Sequence, residues 1–272
     1  MRFNLRALIL YFFLLFILGC NESQNLNLEN DNSFLKINYS VSKILSHDTL
    51  LFTEGLVIFN DKLFESTGSP EDISFTKSLV GYHDFQSSQF KTVIEIDKSK
   101  YFGEGIVFLN NKLYQLTYKN QKGFIYNSTN FKLIDSFYFN SKEGWGLTTD
   151  GESIIMSDGT SEITYYNPNN FESPIKKLNI TEGGIPISNI NELEFINGYI
   201  YANIWMANYI VKINPLNGSI MGKLDLSSIV HDVKSRKPSS DVLNGIAYDK
   251  LNDKVYITGK LWPSIYCIDF KK

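Results

Sequence analysis

Residues that could carry chemistry recur at one position of an internal repeat. Two are carboxylates, one is an indole and two are amides: Glu54, Glu104, Trp145, Asn191 and Asn244. The next residues, at positions 55, 105, 146, 192 and 245, are spaced by 50, 41, 46 and 53 residues, and four of the five are glycine. Positioned carboxylates can transfer protons, and amides can polarise a carbonyl group. Brought together, these residues would suit proton-coupled chemistry on a small polar ligand.

The repeat itself predicts the elements that must position these residues. Each copy continues as a short apolar strand, a turn of Asn, Asp or Gly, and a second strand, which indicates a β-hairpin. A second hairpin follows, most clearly around the turn at Pro215-Leu216-Asn217-Gly218. Four antiparallel strands in every 40–50 residues form the unit of a propeller blade. The prediction is an all-β, five-bladed β-propeller over residues 34–272, with irregular repeats in a sandwich as the alternative.

The chain ends predict how the propeller closes. After its first hairpin, the fifth copy has only one more strand, Ser264 to Phe270, while an unpaired strand, Lys36 to Leu45, precedes the first copy. We expect the N-terminal strand to complete the last blade and so to protect an exposed edge.

In a propeller, the loops that enter the innermost strands lie at one end of the central axis. The five repeat residues would therefore face one funnel, the usual form of a small-ligand site. Each residue also has a plainer interpretation. The glycines would serve a tight strand entry, Glu54 and Glu104 would be solvated loop charges, Trp145 a core aromatic, and the two asparagines turn caps.

Longer motifs surround these positions: Phe52-Thr53-Glu54-Gly55-Leu56, Phe102-Gly103-Glu104-Gly105-Ile106, Glu143-Gly144-Trp145-Gly146-Leu147, Asn191-Glu192-Leu193-Glu194 with Tyr201-Ala202-Asn203-Ile204-Trp205, and Leu243-Asn244-Gly245-Ile246-Ala247 with Thr258-Gly259-Lys260-Leu261-Trp262-Pro263. In this order and spacing they resemble the plant and bacterial glutaminyl-peptide cyclotransferases, over nearly the whole chain after residue 33. The resemblance implies a five-bladed propeller with its site at the mouth of the central channel. It also implies conversion of N-terminal glutaminyl residues of peptides or proteins to pyroglutamate, with release of ammonia.

Carried over by position, the resemblance makes Glu104 the acid/base residue. Asn191 and Lys260 would contact and polarise the side-chain amide of the substrate. The remaining substrate-binding residues would be the aromatic walls and the other repeat positions: Phe52, Phe102, Trp145, Trp205, Tyr118, Glu54 and Asn244.

Two of these positions depart from the family pattern. Glu54 stands where plant members are associated with glutamine, and Tyr118 where tryptophan is more familiar. If Glu54 lies close to Glu104, charge repulsion should raise the pKa of one carboxyl group and favour a protonated donor near neutral pH.

No cofactor is expected, and the sequence predicts a metal-independent mechanism. The three histidines, His47, His83 and His231, are scattered and show no metal-ligand spacing. A structural calcium ion in the channel or between blades would leave no trace in the sequence. Cys267 has apolar neighbours and is interpreted as a core residue. The net charge of −3 gives no basic face for nucleic acid.

The N-terminus has the pattern of a bacterial lipoprotein signal. Arg2 and Arg6 precede an apolar run, which ends in Ile17-Leu18-Gly19-Cys20. We expect residues 1–20 to be the signal, Cys20 to be lipidated, and the polar residues 21–33 to be a flexible tether. The protein would be a monomer, exported and anchored to a bacterial membrane on its periplasmic or cell-surface face. An ordinary secretory signal or an uncleaved anchor is the alternative.

Two other functions compete with catalysis of cyclisation. A non-catalytic propeller lipoprotein that binds a ligand would keep the scaffold without needing Glu104. A propeller hydrolase or lyase acting on sugars would use the two carboxylates, but it would not explain the aromatic residues with a lysine among them.

Overall fold

The structure is a computed structural model, and it describes residues 36–272 except residues 86 and 88. The predicted signal, the lipidation site Cys20 and the tether lie outside the described residues. Within the described part, strands form five four-stranded antiparallel sheets, as expected for the blades of a five-bladed propeller.

Each of the first four blades is a continuous stretch of chain. Blade 1 contains β2 (Thr53–Phe59), β3 (Lys62–Thr67), β4 (Leu79–Asp84) and β5 (Gln89–Glu95). Blade 2 contains β6 (Gly103–Leu109), β7 (Lys112–Thr117), β8 (Lys122–Asn127) and β9 (Leu133–Tyr138). Blade 3 contains β10 (Leu147–Thr149), β11 (Ile154–Ser157), β12 (Glu162–Asn167) and β13 (Asn170–Asn179). Blade 4 contains β16 (Ile190–Ile196), β17 (Tyr199–Ile204), β18 (Tyr209–Ile213) and β19 (Ile220–Asp225).

Blade 5 combines both ends of the described chain. It contains β20 (Leu243–Asp249), β21 (Lys254–Gly259), β22 (Ser264–Phe270) and, as its outer strand, β1 (Tyr39–Ser46). β1 runs antiparallel to β22, with Tyr39 opposite Phe270 and Ser46 opposite Ser264. The N-terminal strand thus begins and ends slightly later than the sequence suggested.

The repeated glycines allow neighbouring inner strands to approach closely. A Cβ atom on Gly105 would lie 2.6 Å from the carbonyl oxygen of Trp145, and one on Gly146 would lie 2.3 Å from that of Asn191. Side chains cannot be accommodated at such distances. The recurrence of glycine therefore reflects contact between blades rather than only a tight entry into each strand.

Two elements were not expected from the repeat. A short hairpin of β14 (Thr181–Glu182) and β15 (Ile185–Pro186) precedes blade 4, and helix α1 (Ser227–Arg236) joins blades 4 and 5. The helix buries Ile229, Val230 and Val233 in the core cluster shared by these two blades. Within the described residues, no helix is long and apolar enough to cross a membrane.

Candidate active site

A cavity of about 700 Å³ opens at the end of the propeller where the inner strands begin. Its volume is in the range of small-ligand sites. The cavity is lined by nine of the ten residues predicted as catalytic or substrate-binding: Phe52, Glu54, Phe102, Glu104, Tyr118, Trp145, Asn191, Trp205 and Lys260.

The repeat position explains why these residues meet. Glu54 is the second residue of β2, Glu104 of β6 and Asn191 of β16, while Trp145 directly precedes the segment that enters β10. Equivalent positions on different blades face the same axis, so Glu54 and Asn191, 137 positions apart in the sequence, line one cavity.

Two carboxyl groups and one lysine form the polar floor of the cavity. Lys260 Nζ lies 2.7 Å from Glu54 Oε1, and both side chains are almost fully buried. The carboxyl groups of Glu54 and Glu104 lie close enough for each to alter the pKa of the other.

Burial raises the pKa of both acids. For Glu54, burial is the largest effect, opposed by the Lys260 charge and its hydrogen bond, and the pKa rises to about 7. For Glu104, burial comes first and the Glu54 charge second, and the pKa lies well above its ordinary value. The predicted direction agrees with the geometry, but desolvation rather than repulsion is the larger cause. The Glu104 carboxyl group thus holds its proton to a higher pH than an ordinary glutamate does.

Aromatic rings form the walls of the cavity. Phe102 packs edge-on against Phe52 with 6.2 Å between ring centroids, and it also contacts Tyr118 at 5.7 Å. On another side, Trp145 and Trp205 are T-shaped at 5.9 Å. Lys260 Nζ lies 4.6 Å from the centroid of Phe52, which places a cation over an aromatic face.

The two asparagines occupy different places. Asn191 lines the cavity, and its buried Oδ1 has no hydrogen-bond partner among the described residues. Asn244 is fully buried and does not line the cavity. Its Nδ2 donates to the carbonyl oxygen of Thr53 at 3.0 Å and to Glu54 Oε2 at 3.3 Å. Asn244 thus contacts the cavity residue Glu54 directly, and its predicted role in substrate binding stays a prediction.

Several acids near the site carry no role predicted from the sequence. Glu143, Asp158 and Asp241 also line the cavity, and Glu143 Oε2 accepts a hydrogen bond of 3.0 Å from Trp145 Nε1. The position of Glu143 in the site could have been predicted, since this residue stands in the same sequence motif as Trp145. Asp158 and Asp241 belong to no repeated motif, so the sequence did not indicate them.

Two further glutamates, Glu192 and Glu194, are buried between the inner strands. Glu192 stands where the other copies have glycine, and its two oxygens accept from the backbone N–H groups of Leu56 and Ile246 at 3.1 and 2.8 Å. Glu194 accepts from the N–H of Tyr248 at 2.7 Å. Their spacing of two along β16 puts both on one face, a signal that the sequence contained. Burial raises the pKa of Glu194 to about 8.

The histidines are less scattered in space than in the sequence. His47 and His83 converge on Glu65 in blade 1, and the three side chains are buried. His231 is exposed on α1. Sequence spacing could not reveal this cluster, because its members lie on β3, on β4 and in the segment between β1 and β2.

Comparisons with known proteins agree with one another. The family model described as "Glutamine cyclotransferase" matches residues 13–270. A protein of Arabidopsis thaliana, "Glutaminyl-peptide cyclotransferase", is 35% identical over 251 residues, which cover 90% of this chain and 76% of the relative. The crystal structure of Myxococcus xanthus glutaminyl cyclase superposes with a TM-score of 0.77 at 28% identity, covering 87% of this chain and 98% of that one.

Fold and site together define a five-bladed β-propeller with a buried carboxyl pair, a lysine and aromatic walls at the mouth of its axis. The extent of the sequence matches makes the assignment specific. The chain belongs to the glutamine cyclotransferase family.

Proposed function

We propose that this protein converts N-terminal glutaminyl residues of peptides or proteins to pyroglutamate and releases ammonia. The observation that carries the proposal is the buried pair of Glu54 and Glu104 beside Lys260, enclosed by aromatic rings. Family membership supports the same reaction.

The walls suit the shape of the substrate. The glutaminyl stem is uncharged and would lie between Phe52 and Phe102 on one side and the two tryptophans on the other. Cyclisation needs the α-amine to approach the γ-carboxamide carbon of the same residue. By holding the residue in this folded-back conformation, the cavity would keep the amine next to the amide carbon, which can lower the activation barrier of the reaction considerably.

The carboxyl pair can supply both proton transfers. The α-amine loses a proton to the ionised carboxylate of the pair and attacks the amide carbon, forming the ring C–N bond. Glu104 then donates its proton to the amide nitrogen, the C–N bond to that nitrogen breaks, and ammonia leaves. The ring nitrogen keeps its one remaining hydrogen, and the pair, which has gained one proton and given up one, again holds a single proton.

Negative charge that develops on the amide oxygen needs a donor. Asn191 and Lys260 both line the cavity and are the candidates for this role. Lys260 is already paired with Glu54, so its second function is to keep that carboxylate in place. Because side chains supply proton transfer and oxyanion stabilisation, the proposed mechanism requires no metal ion.

The lining of the cavity also argues against the sugar hydrolase. That function would use the two carboxyl groups, but it gives no role to the aromatic walls or to the lysine buried beside Glu54.

The test uses purified protein without residues 1–20, a Gln-initiated peptide, and the same peptide with an acetylated N-terminus as control. We expect ammonia release and a product lighter by one ammonia for the free peptide only, unaffected by EDTA and abolished by Glu104→Ala. Loss of turnover in EDTA would overturn the metal-independent mechanism. Absence of turnover above the spontaneous rate would favour the non-catalytic ligand-binding lipoprotein.

Export and anchoring are part of the proposal. The pattern at residues 1–20 supports lipidation of Cys20 and attachment to a bacterial membrane. Labelling cells with a radioactive fatty acid should mark the wild-type protein and leave Cys20→Ala unlabelled. An equally labelled Cys20→Ala would contradict this assignment.

A further inference from the structure

A second buried ionic cluster lies next to the cavity, in blade 1. Glu65 Oε2 is 2.6 Å from His83 Nε2 and 3.1 Å from His47 Nε2. Glu65 Oε1 accepts a hydrogen bond of 2.7 Å from the hydroxyl of Thr53. His47 Nδ1 lies 2.7 Å from the carbonyl oxygen of Trp262. All these polar atoms thus have a partner, and none of them faces the cavity.

Hydrogen-bond chemistry sets the charge of this cluster. A carbonyl oxygen only accepts, so His47 Nδ1 donates to Trp262, and His47 Nε2 must donate to the Glu65 carboxylate. His47 is therefore an imidazolium. Burial opposes its charge, but Glu65 more than compensates and raises the pKa of His47; nearby Asp48 acts in the same direction. Burial likewise opposes ionisation of Glu65, yet His47 and His83 hold its pKa below the ordinary value.

The distances favour protons over a metal ion at the centre of this cluster. The three side chains offer ligand atoms within 4.8 Å of one another. Two ligands of a tetrahedral zinc ion, each at about 2.0–2.1 Å, would stand roughly 3.3 Å apart. The 2.6 Å between His83 Nε2 and Glu65 Oε2 is too short for that geometry and fits a charge-assisted hydrogen bond.

The cluster joins two segments that carry the cavity residues. Thr53, which donates to Glu65, is flanked by Phe52 and Glu54, and its hydroxyl also lies 3.3 Å from the carbonyl oxygen of Gly259. Trp262, which accepts from His47, lies two residues after Lys260. Between them, Leu261 N–H donates to the carbonyl oxygen of Leu51 at 2.9 Å. The segments 51–54 and 259–262 are thus tied together below the cavity as well as by the Glu54–Lys260 pair.

We propose that His47, Glu65 and His83 are positioning residues of this enzyme, which hold blade 1 against blade 5 so that Glu54 and Lys260 remain paired in the cavity. The proposal rests on the proposed function. The three residues never touch the substrate, and their effect on turnover passes through Thr53 and Trp262.

Glu65→Gln is the main test, since it keeps the size of the side chain and removes its charge. The amide has only one acceptor oxygen, so either Thr53 or the histidines lose the oxygen that they now contact. We expect kcat for a Gln-initiated peptide to fall about tenfold with KM changed less than about twofold. Because Lys260 lowers the pKa of Glu54, a looser pair should also shift the acidic limb of the pH–rate profile towards higher pH.

Two histidine variants serve as a matched pair. Gln can replace the single N–H donor of His83, so His83→Gln should retain activity, whereas His83→Leu should behave like Glu65→Gln. Ile213→Ala is the control for stability, because it empties a core site in blade 4 that does not line the cavity. It should lower Tm without moving the pH–rate profile. If Glu65→Gln does not fold, Thr53→Val is the substitute test. It removes the hydrogen bond between β2 and Glu65 and leaves the charges of the cluster unchanged.

A readout independent of turnover separates the two proposals. ¹³C NMR of the Glu54 and Glu104 carboxyl groups should show altered titration in Glu65→Gln and unaltered titration in Ile213→Ala. Kinetics and titrations of Glu65→Gln and His83→Leu that equal the wild type, with only a lower Tm, would overturn the positioning role. A wild-type protein without turnover would overturn the proposed function, while the titrations would still decide the positioning role.

Discussion

Buried carboxyl groups in two regions of this propeller have pKa values shifted in opposite directions. In the cavity, Glu54 and Glu104 share a single cation, Lys260, and both have a raised pKa. Beside them, Glu65 alone receives hydrogen bonds from two imidazoles and a hydroxyl, and its pKa is lowered. Burial is complete in both places, so the neighbours decide the sign: two carboxyl groups compete for one lysine in the cavity, whereas Glu65 has two histidines to itself.

This difference distinguishes carboxyl groups that can take part in the reaction from a carboxylate that stabilises the fold. A carboxyl group that binds its proton near neutral pH can exchange it with a substrate, which the proposed reaction requires. A carboxylate that stays ionised throughout the working range of pH provides a fixed charge instead. The cavity is suited to proton exchange, and the proposed role of the Glu65 cluster is to hold blade 1 against blade 5.

The largest expected effect is that of Glu104→Gln, which removes the proposed acid/base group. We expect kcat to fall by at least about a hundredfold. The Tm at pH 8 should not fall, because the raised pKa of Glu104 means that its ionised form is unfavourable in the folded protein. Peptide turnover and thermal unfolding measure the two quantities.

Exposed Glu152 provides the control for this substitution, and Glu152→Gln should match the wild type in both measurements. A Glu104→Gln variant that loses stability but retains turnover would contradict the assignment of Glu104 to the reaction and would make it a structural residue like Glu65.

Glu54→Gln should have a smaller effect, since it keeps a hydrogen-bonding partner for Glu104. We expect turnover to fall about tenfold or more. Its pH–rate profile should lose the limb that reports the Glu54 ionisation near pH 7. Recording kcat/KM from pH 5 to 9 tests this, and a profile identical to the wild type would show that the two carboxyls are not coupled.

Stability should also depend on pH with opposite signs in the two regions. Folded-state pKa values of about 7 for Glu54 and about 8 for Glu194 lie above the ordinary value of 4.5. These groups therefore make folding less favourable as pH rises from about 4.5 to 8. Glu65 has a lowered pKa, so the stability it provides is present above pH 4.5 and is lost as pH falls further.

Glu194→Gln isolates the first of these contributions and is the smallest predicted effect. The amide can still accept from Tyr248 N–H and donate to Thr148. We expect the variant to gain stability over the wild type at pH 8 and to gain little at pH 5. Urea unfolding at the two pH values measures this. A difference between variant and wild type that is the same at both values would contradict the raised pKa.

The repeat explains how much of the fold was predictable. Hairpin turns at Asn60-Asp61 and Asn110-Asn111 adopt positive φ, as two-residue hairpin loops require, and they marked the strands directly. The β14–β15 hairpin and helix α1 each occur only once, outside the repeated units, so no periodic pattern predicted them. Asn244 shows a further limit: the repeat gave its position on the axis, but its contact with Glu54 depended on packing.

The sequence by itself determined the blades, the cavity residues and the family, because each is encoded locally and repeated or matched in order along the chain. Only the tertiary structure decided which groups carry protons. Protonation depends on burial and on donors contributed by other strands, as when His47 and His83 meet Glu65 or when Lys260 meets Glu54. Those contacts join residues that are 18 to 206 positions apart, and no local pattern records them.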